Sequence, residues 1–146
     1  MRVDIANRDP TFRAPRALIM AAVHAASRVG RLRARSLSVV IVGAAEMRRL
    51  NRQFLGHDYV TDVLSFPFGD QDPVGELVVC AAFAAGQARA RGHSPREELL
   101  LYVVHGTLHL AGFMDQQAAD VKRMRAAERR ALARIGIVRD LWVEQR

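Results

Sequence analysis

Two histidines and an aspartate lie close together near the middle of the second half of the chain. His105 and His109 are four residues apart, and Asp115 follows six residues later. Four residues is just over one helical turn, so both imidazoles leave the same face of a helix. Gly112 can take the left-handed conformation that ends many helices, which would turn Asp115 back toward the rings. Three convergent ligands with an open fourth position describe a catalytic zinc site.

The alternative is a pair of structural histidines. A histidine in an apolar helix usually bonds to a carbonyl in the core. Here the residues before His105, from Leu99 to Val104, are apolar on nearly every side of the helix, which predicts that the helix is buried. Two adjacent buried imidazoles both need partners, and one metal ion serves both. The pattern therefore favours a metal site.

A metalloprotease is disfavoured by the residue after the first histidine. The spacing resembles the metal-binding helix of metzincin proteases, in which a glutamate at that position acts as general base. Here the position is Gly106. A glycine cannot accept a proton from a metal-bound water, so the chain lacks the group that peptide hydrolysis by this mechanism requires.

Two longer strings resemble the signatures of one known family. Residues 105–115 read H-G-T-L-H-L-A-G-F-M-D and residues 61–67 read T-D-V-L-S-F-P. Both are similar to signatures of the YbeY family, bacterial metal-dependent endoribonucleases that act in ribosomal RNA maturation. The resemblance covers nearly all of the chain. It implies an α+β fold, with a four-stranded mixed sheet covered by about five helices and a metal cleft between helices and sheet.

The resemblance also implies a function. The expected activity is that of a single-strand-specific metallo-endoribonuclease, acting in the maturation of small-subunit ribosomal RNA and in ribosome quality control through a metal-activated water. We expect one zinc ion per chain, no organic cofactor, and ribosomal RNA and the small ribosomal subunit as partners. The alternative is a non-catalytic ribosome-assembly factor that binds RNA and ribosomal proteins, with a structural or vestigial metal.

Two departures from the family pattern bear on the expected chemistry. Many members have histidine where Asp115 stands, but a carboxylate is also a zinc ligand. Because two histidines and one carboxylate also form the facial triad of non-haem iron, the departure leaves iron as an alternative metal. The second departure is Leu55, where the family often has an arginine implicated in RNA cleavage. Arg52, about one turn earlier, is a candidate substitute.

The charge of the chain is consistent with an RNA partner. Its 22 basic and 15 acidic residues give a net charge of +7, which favours a polyanionic ligand. All basic residues except Lys122 are arginine, so a base-composition bias of the genome would give the same charge without function. Arg48, Arg49 and Arg52 share the outer side of a predicted helix and are candidate RNA contacts; a solvated face is the alternative.

Length and composition predict one cytoplasmic domain over residues 1–146. That length suffices for a real core without disulfides. Cys80 is the single cysteine, which fits a reducing compartment. The first residues alternate as a strand would and contain Asp4, so we expect no signal peptide, and no apolar run is long enough to make the membrane a partner.

The hydrophobic pattern gives the boundaries of nine elements. The predicted strands are Arg2–Asn7, Leu37–Val42, Val63–Phe66 and Gly75–Cys80. The predicted helices are Pro15–Gly30, Ala44–Leu55, Ala81–Ala90, Pro95–Ala111 and Ala118–Ile135. Ser94 and Glu97 predict a capping box at the start of the helix that carries the histidines.

Some side chains receive an orientation or a role from the same pattern. In the second helix, Met47, Leu50 and Phe54 are predicted to face inward. Asp62 and Glu76 are candidates for outer carboxylates that orient a ligand imidazole, with plain surface carboxylates as the alternative.

Overall fold

The computed structural model describes residues 1–142, and its elements confirm the predicted α+β class. The strands are β1 (Arg2–Asn7), β2 (Ser36–Val42), β3 (Val63–Pro67) and β4 (Gly75–Cys80). The helices are α1 (Arg16–Gly30), α2 (Ala44–Leu55), α3 (Ala81–Arg91), α4 (Pro95–Leu110) and α5 (Ala118–Arg134). Among these helices, none combines the length and apolarity that crossing a lipid bilayer requires.

The four strands form one mixed sheet in the order β1-β2-β4-β3. β1, β2 and β4 are parallel, and β3 runs antiparallel to β4, pairing Val63 with Val79 and Pro67 with Gly75. A proline has no N–H to donate to a neighbouring strand, so Pro67 suits the edge position that β3 occupies. Because β3 is an edge strand, its outer edge is available to line a cleft.

The two faces of the sheet carry cores of different size. Successive residues of a strand point to opposite faces. Val39 and Ile41 of β2 join the larger core with α4, whereas Val40 and Val42 pack in a smaller core with Met47 of α2. Within the larger core, every residue from 99 to 104 of α4 is buried, as predicted. The helix that carries the histidines is thus the central helix of the fold.

A capping box fixes the first turn of α4, as predicted. The Ser94 hydroxyl accepts a hydrogen bond from the Glu97 backbone N–H at 3.1 Å, and the Glu97 carboxylate accepts one from the Ser94 N–H at 3.1 Å. Pro95 takes the first helical position, where a missing N–H costs nothing. Such a cap stabilises a helix by about 1 kcal/mol, and here it sets where α4 begins.

α1 ends at Gly30 as predicted, and Arg31 after it adopts the left-handed conformation (φ 58). Another local prediction needs correction. Phe54, predicted to face inward, is 56% exposed. It lies one turn beyond the buried Asn51, at the margin of the sheet, where its ring meets Phe66 of the edge strand edge-on with centroids 5.3 Å apart. Among residues 1–142 no strand pairs with the outer edge of β3, so the rest of the ring faces solvent.

Candidate metal centre

The end of α4 turns the chain back on itself, as the sequence predicts. Gly112 adopts φ +101, a conformation that glycine takes without strain. The Phe113 N–H donates to the Leu108 carbonyl and the Gly112 N–H to the His109 carbonyl, each at 3.0 Å. This pair of bonds is the Schellman motif of helix ends. It directs the following residues, and with them Asp115, toward the histidine face of α4.

The three predicted ligand side chains meet at one point. His105 Nε2 and His109 Nε2 lie 2.9 Å apart, and each is 3.3 Å from Asp115 Oδ2. The side chains become progressively more exposed, from 14% for His105 through 26% for His109 to 39% for Asp115. The group is therefore anchored in the protein on one side and accessible from solvent on the other.

Hydrogen bonds on the far side of each ring determine which nitrogen carries the proton. His105 Nδ1 donates to Glu128 Oε2 at 2.7 Å, and His109 Nδ1 donates to the Phe113 carbonyl at 2.8 Å. With both Nδ1 atoms protonated, both Nε2 atoms of the neutral rings present lone pairs. The two Nε2 atoms and the Asp115 carboxylate thus bring three electron-pair donors together.

This donor set fits a divalent metal ion. A cluster of lone pairs without a hydrogen between them is repulsive unless a cation sits among them. Ligand atoms placed 2.0–2.1 Å from a tetrahedral zinc ion are about 3.3 Å from one another, close to the observed separations. His105, His109 and Asp115 therefore form a group that could bind a metal ion.

Glu128 is the functional residue that the sequence interpretation missed. It is a fully buried residue of α5, and its second oxygen, Oε1, accepts hydrogen bonds from Arg125 Nη1 at 3.1 Å and Trp142 Nε1 at 3.2 Å. The available signal was its position, because Glu128 lies on the apolar stripe of α5 between Met124 and Ala131. A carboxylate on the inward face of an amphipathic helix needs a buried partner.

Glu128 also sets the electrostatics of the first histidine. Burial of the His105 ring acts to lower its pKa, because the charged form loses solvation. The hydrogen bond and the negative charge of Glu128 act in the opposite direction and prevail, so the pKa of His105 lies above its ordinary value. The same carboxylate makes the imidazole a more basic metal ligand.

The carboxylates proposed from the sequence for this orienting role have other partners. Asp62 Oδ1 accepts the Val63 N–H at 2.7 Å, and Glu76 accepts a hydrogen bond from the Ser38 hydroxyl at 3.2 Å. Asp62 lines the same cleft as the histidines and contributes negative charge near His105, without a hydrogen bond to either ring among the described contacts. Glu128 takes the orienting position instead.

Gly106 cannot act as a general base, and it also has a role in packing. A Cβ atom at this position would lie 2.8 Å from Leu77 Cδ2 and 3.1 Å from the Ser65 hydroxyl. The first contact is shorter than real Cβ atoms show and the second is tight, so the glycine allows α4 to approach β3 and β4 closely. A glutamate here would disturb the packing of the helix that carries both histidines.

The three candidate ligand side chains line a cleft of about 910 Å³. Its walls come from the end of α2, the edge strand β3, α4, α5 and Trp142. Leu55 lines this cleft and is 53% exposed, so the departure from the family pattern lies within the site. Of the cleft-lining residues in the described part of the chain, Arg125 is the one arginine, and it already bonds Glu128.

The arginines proposed as RNA contacts lie outside the cleft lining. Arg48, Arg49 and Arg52 are exposed on α2. Arg48 pairs with Asp58 at 2.8 Å, and Arg49 with Glu46 at 3.4 Å. Exposed ion pairs of this kind are weak, so they leave the guanidinium groups available to phosphates.

The sequence profile of the family described as Endoribonuclease YbeY matches residues 4–136. The chain belongs to the YbeY family. A YbeY relative from Rhodopirellula baltica is 48% identical over 106 residues, covering 70% of this chain and 55% of the relative. One from Alkalilimnicola ehrlichii is 42% identical over 109 residues, covering 70% and 66%. Both matches span less than two thirds of the relatives' own length.

Other matches extend over more of the YbeY fold. A relative from Stenotrophomonas maltophilia is 36% identical over 151 aligned positions, covering 94% of this chain and 92% of the relative. These three relatives are all named endoribonuclease YbeY. A solution structure of a Thermotoga maritima protein superposes with a TM-score of 0.62 at 27% identity, covering 90% of this chain and 89% of that one. The fold is therefore shared between this YbeY-family chain and a solved structure.

Proposed function

We propose that this chain is a single-strand-specific metallo-endoribonuclease. Its proposed role is the maturation of small-subunit ribosomal RNA and ribosome quality control in the cytoplasm, with ribosomal RNA and the small subunit as partners. We assign the activity to one domain, residues 1–146. The observation that carries the proposal is the convergence of two imidazole lone pairs and a carboxylate in an open cleft. The endoribonuclease names of the relatives support the substrate class.

In this proposal His105, His109 and Asp115 hold one zinc ion per chain. When bound, zinc lowers the pKa of a water molecule to about 7 and polarises a phosphoryl oxygen. The protein holds both imidazoles in one tautomer through Glu128 and the Phe113 carbonyl. The two histidines are neutral and Asp115 carries one negative charge, so the three ligands would neutralise only one of the two positive charges of the zinc ion. The positive charge that remains favours binding of an anionic phosphodiester.

Exposed apolar side chains beside the ligands support single-stranded RNA as substrate. Phe54 and Leu55 line the cleft with more than half of each residue exposed. An exposed aromatic face binds an unpaired base by stacking, whereas the bases of a duplex are already stacked on each other. The same helix also carries Arg48, Arg49 and Arg52, which would hold the flanking phosphates. The proposed division is therefore that one base and the phosphodiester to be cleaved bind in the cleft, whereas the flanking phosphates are held outside it.

The decisive experiment compares RNA cleavage by the wild type and by His109→Ala. The substrates are a single-stranded ribosomal RNA fragment and the same fragment annealed to its complement. His24→Ala is the matched control, because His24 is an exposed histidine of α1 that contacts the Met1 carbonyl and does not line the cleft. We expect cleavage of the single strand only, a loss of about a hundredfold or more in His109→Ala, and wild-type rates in His24→Ala.

Two results would contradict the proposal in different ways. Wild-type cleavage by His109→Ala would show that the metal site is not catalytic. If no variant cleaves RNA but His109→Ala still restores ribosomal RNA maturation in cells, the non-catalytic assembly-factor alternative is favoured. Metal analysis of the purified wild type distinguishes zinc from iron, the alternative for a site with two histidines and one carboxylate.

A further inference from the structure

Trp142 lies between two arginines next to the metal ligands. The guanidinium carbon of Arg125 is 3.2 Å from the centroid of the indole ring, and that of Arg91 is 4.7 Å from it. Trp142 Nε1 donates a hydrogen bond to Glu128 Oε1 at 3.2 Å. Two cations are thus held at the ring, an arrangement that favours a structural role for the indole over stacking with a nucleotide base.

The hydrogen bond from Trp142 acts on the carboxylate that holds His105. Glu128 is fully buried, and a buried carboxylate needs donors to offset the loss of water. One oxygen faces His105 Nδ1, and the other receives Arg125 and Trp142. Arg125 itself packs against the indole ring, so Trp142 also contacts the second donor to that oxygen. The indole therefore fixes the rotation of the carboxylate.

Contacts away from the metal site hold Trp142 in place. Leu141 is buried in the larger core, Asp140 pairs with Arg129 at 3.2 Å, and Arg139 pairs with Glu97. The match to the family profile ends at residue 136. The segment that carries Trp142 thus lies beyond the residues that identify the family, and it docks through its own contacts.

We propose that Trp142 is a positioning residue of the metal centre. Its indole N–H holds the Glu128 carboxylate, which in turn holds the His105 ring with Nε2 directed at the metal position. Trp142 is not one of the three proposed ligands, and it acts on the metal position through Glu128. The inference rests on the metal ligation stated under the proposed function, and its effect is on how tightly the site binds its ion.

The test measures zinc affinity of the full-length protein by competition with a chromophoric chelator. Trp142→Phe keeps an aromatic ring for the two arginines but removes the N–H donor. We expect this variant to bind zinc about tenfold more weakly, as is typical when an outer hydrogen bond to a metal site is lost. Tyr59→Phe is the control, because it also removes one hydrogen-bonding group from an aromatic side chain, but Tyr59 is exposed and does not line the cleft. Its zinc affinity should equal that of the wild type.

A double-mutant cycle tests the route through Glu128. In a Glu128→Gln background, Trp142→Phe should cause little further loss. An undiminished loss there would overturn the inference, as would wild-type affinity in Trp142→Phe alone. His109→Ala reports separately on the proposed ligands, because undiminished zinc binding in that variant would overturn the metal site itself. Thermal unfolding of the metal-free proteins establishes that each variant is folded.

Discussion

The two ligand imidazoles are held from behind by acceptors of different strength. His105 donates to the buried carboxylate of Glu128, whereas His109 donates to the neutral carbonyl of Phe113. A carboxylate acceptor increases the electron density of an imidazole more than a carbonyl does. His105 is thus the ring with the charged acceptor and the more buried of the two candidate nitrogen ligands. In the proposed zinc site, we therefore expect the metal affinity to depend on Glu128, which is not itself a ligand.

Glu128→Gln tests this dependence. The amide keeps the size of the side chain and an oxygen that can accept from His105, but it removes the negative charge. We expect zinc to bind about tenfold more weakly, measured by chelator competition. Glu46→Gln is the control, because Glu46 is a carboxylate of α2 that pairs with Arg8 and Arg49 away from the cleft. Equal zinc affinities for the two variants would contradict the role of Glu128.

Leu55 offers a second prediction for a single residue. Its side chain cannot stabilise the charge that develops on a phosphoryl oxygen, and one preorganised donor is worth on the order of a hundredfold in rate. Because Leu55 lines the cleft and is largely exposed, an arginine at this position does not require a buried charge. We expect Leu55→Arg to raise single-strand cleavage about tenfold, short of that full value because the guanidinium is flexible.

Leu55→Met is the matched control for this change. It keeps an apolar side chain of similar volume, so its cleavage rate should stay at the wild-type value. The measurement is the initial rate on one ribosomal RNA fragment at saturating zinc. If Leu55→Arg cleaves no faster than Leu55→Met, the missing arginine is not what limits the reaction.

At the scale of elements, the features best predicted from the sequence are those that depend on a single segment, such as where a helix begins and ends. The start of α4 follows from Ser94 and Glu97, and its end follows from Gly112, so the positions of both histidines on that helix could be predicted. Glu128 could not, because its role arises where α5 packs beside α4. Helical periodicity shows which face of a helix is buried, but it does not show which residue of another helix lies opposite.

Phe54 shows the same limit at the margin of the sheet. The apolar stripe of α2 predicts an inward face, but burial also needs a surface to pack on, and the sheet ends at β3. The consequence is an aromatic ring that contacts Phe66 on its edge and leaves much of its surface open beside the metal ligands. The exposed part of the ring is therefore available to stack with a nucleotide base.

We expect Phe54→Ala to bind single-stranded RNA about tenfold more weakly, because stacking of one base contributes about 1–3 kcal/mol. The thermal stability of the protein should change little, since the ring is more than half exposed. Phe68→Ala is the control, because Phe68 is also exposed but does not line the cleft. Fluorescence anisotropy of a labelled oligonucleotide measures both affinities. An equal effect of the two substitutions would contradict a specific stacking site.

At the scale of the whole molecule, charge and cleft have separate functions in the proposed mechanism. The net charge of +7 acts over the entire surface, and screening by salt reduces it. The cleft contributes the metal ligands and an exposed apolar wall. Arg125 is the arginine that lines it among the described residues, and its guanidinium is engaged with Glu128 and Trp142. Backbone contacts to RNA are therefore expected mainly outside the cleft.

The arginine face of α2 is the proposed location of these contacts, and the salt dependence of binding tests it. Replacing Arg48, Arg49 and Arg52 together by glutamine should weaken RNA binding across sequences. Each lost phosphate contact lowers the slope of log affinity against log salt by about 0.7 for single strands, so three contacts lower it by about 2. The control replaces three exposed arginines outside the cleft lining, Arg28, Arg33 and Arg35, with the same change in net charge. If both triple variants lower the slope equally, the attraction is diffuse and α2 has no special role. If the α2 variant lowers the slope more than the control does, α2 is the surface along which the RNA backbone enters the cleft.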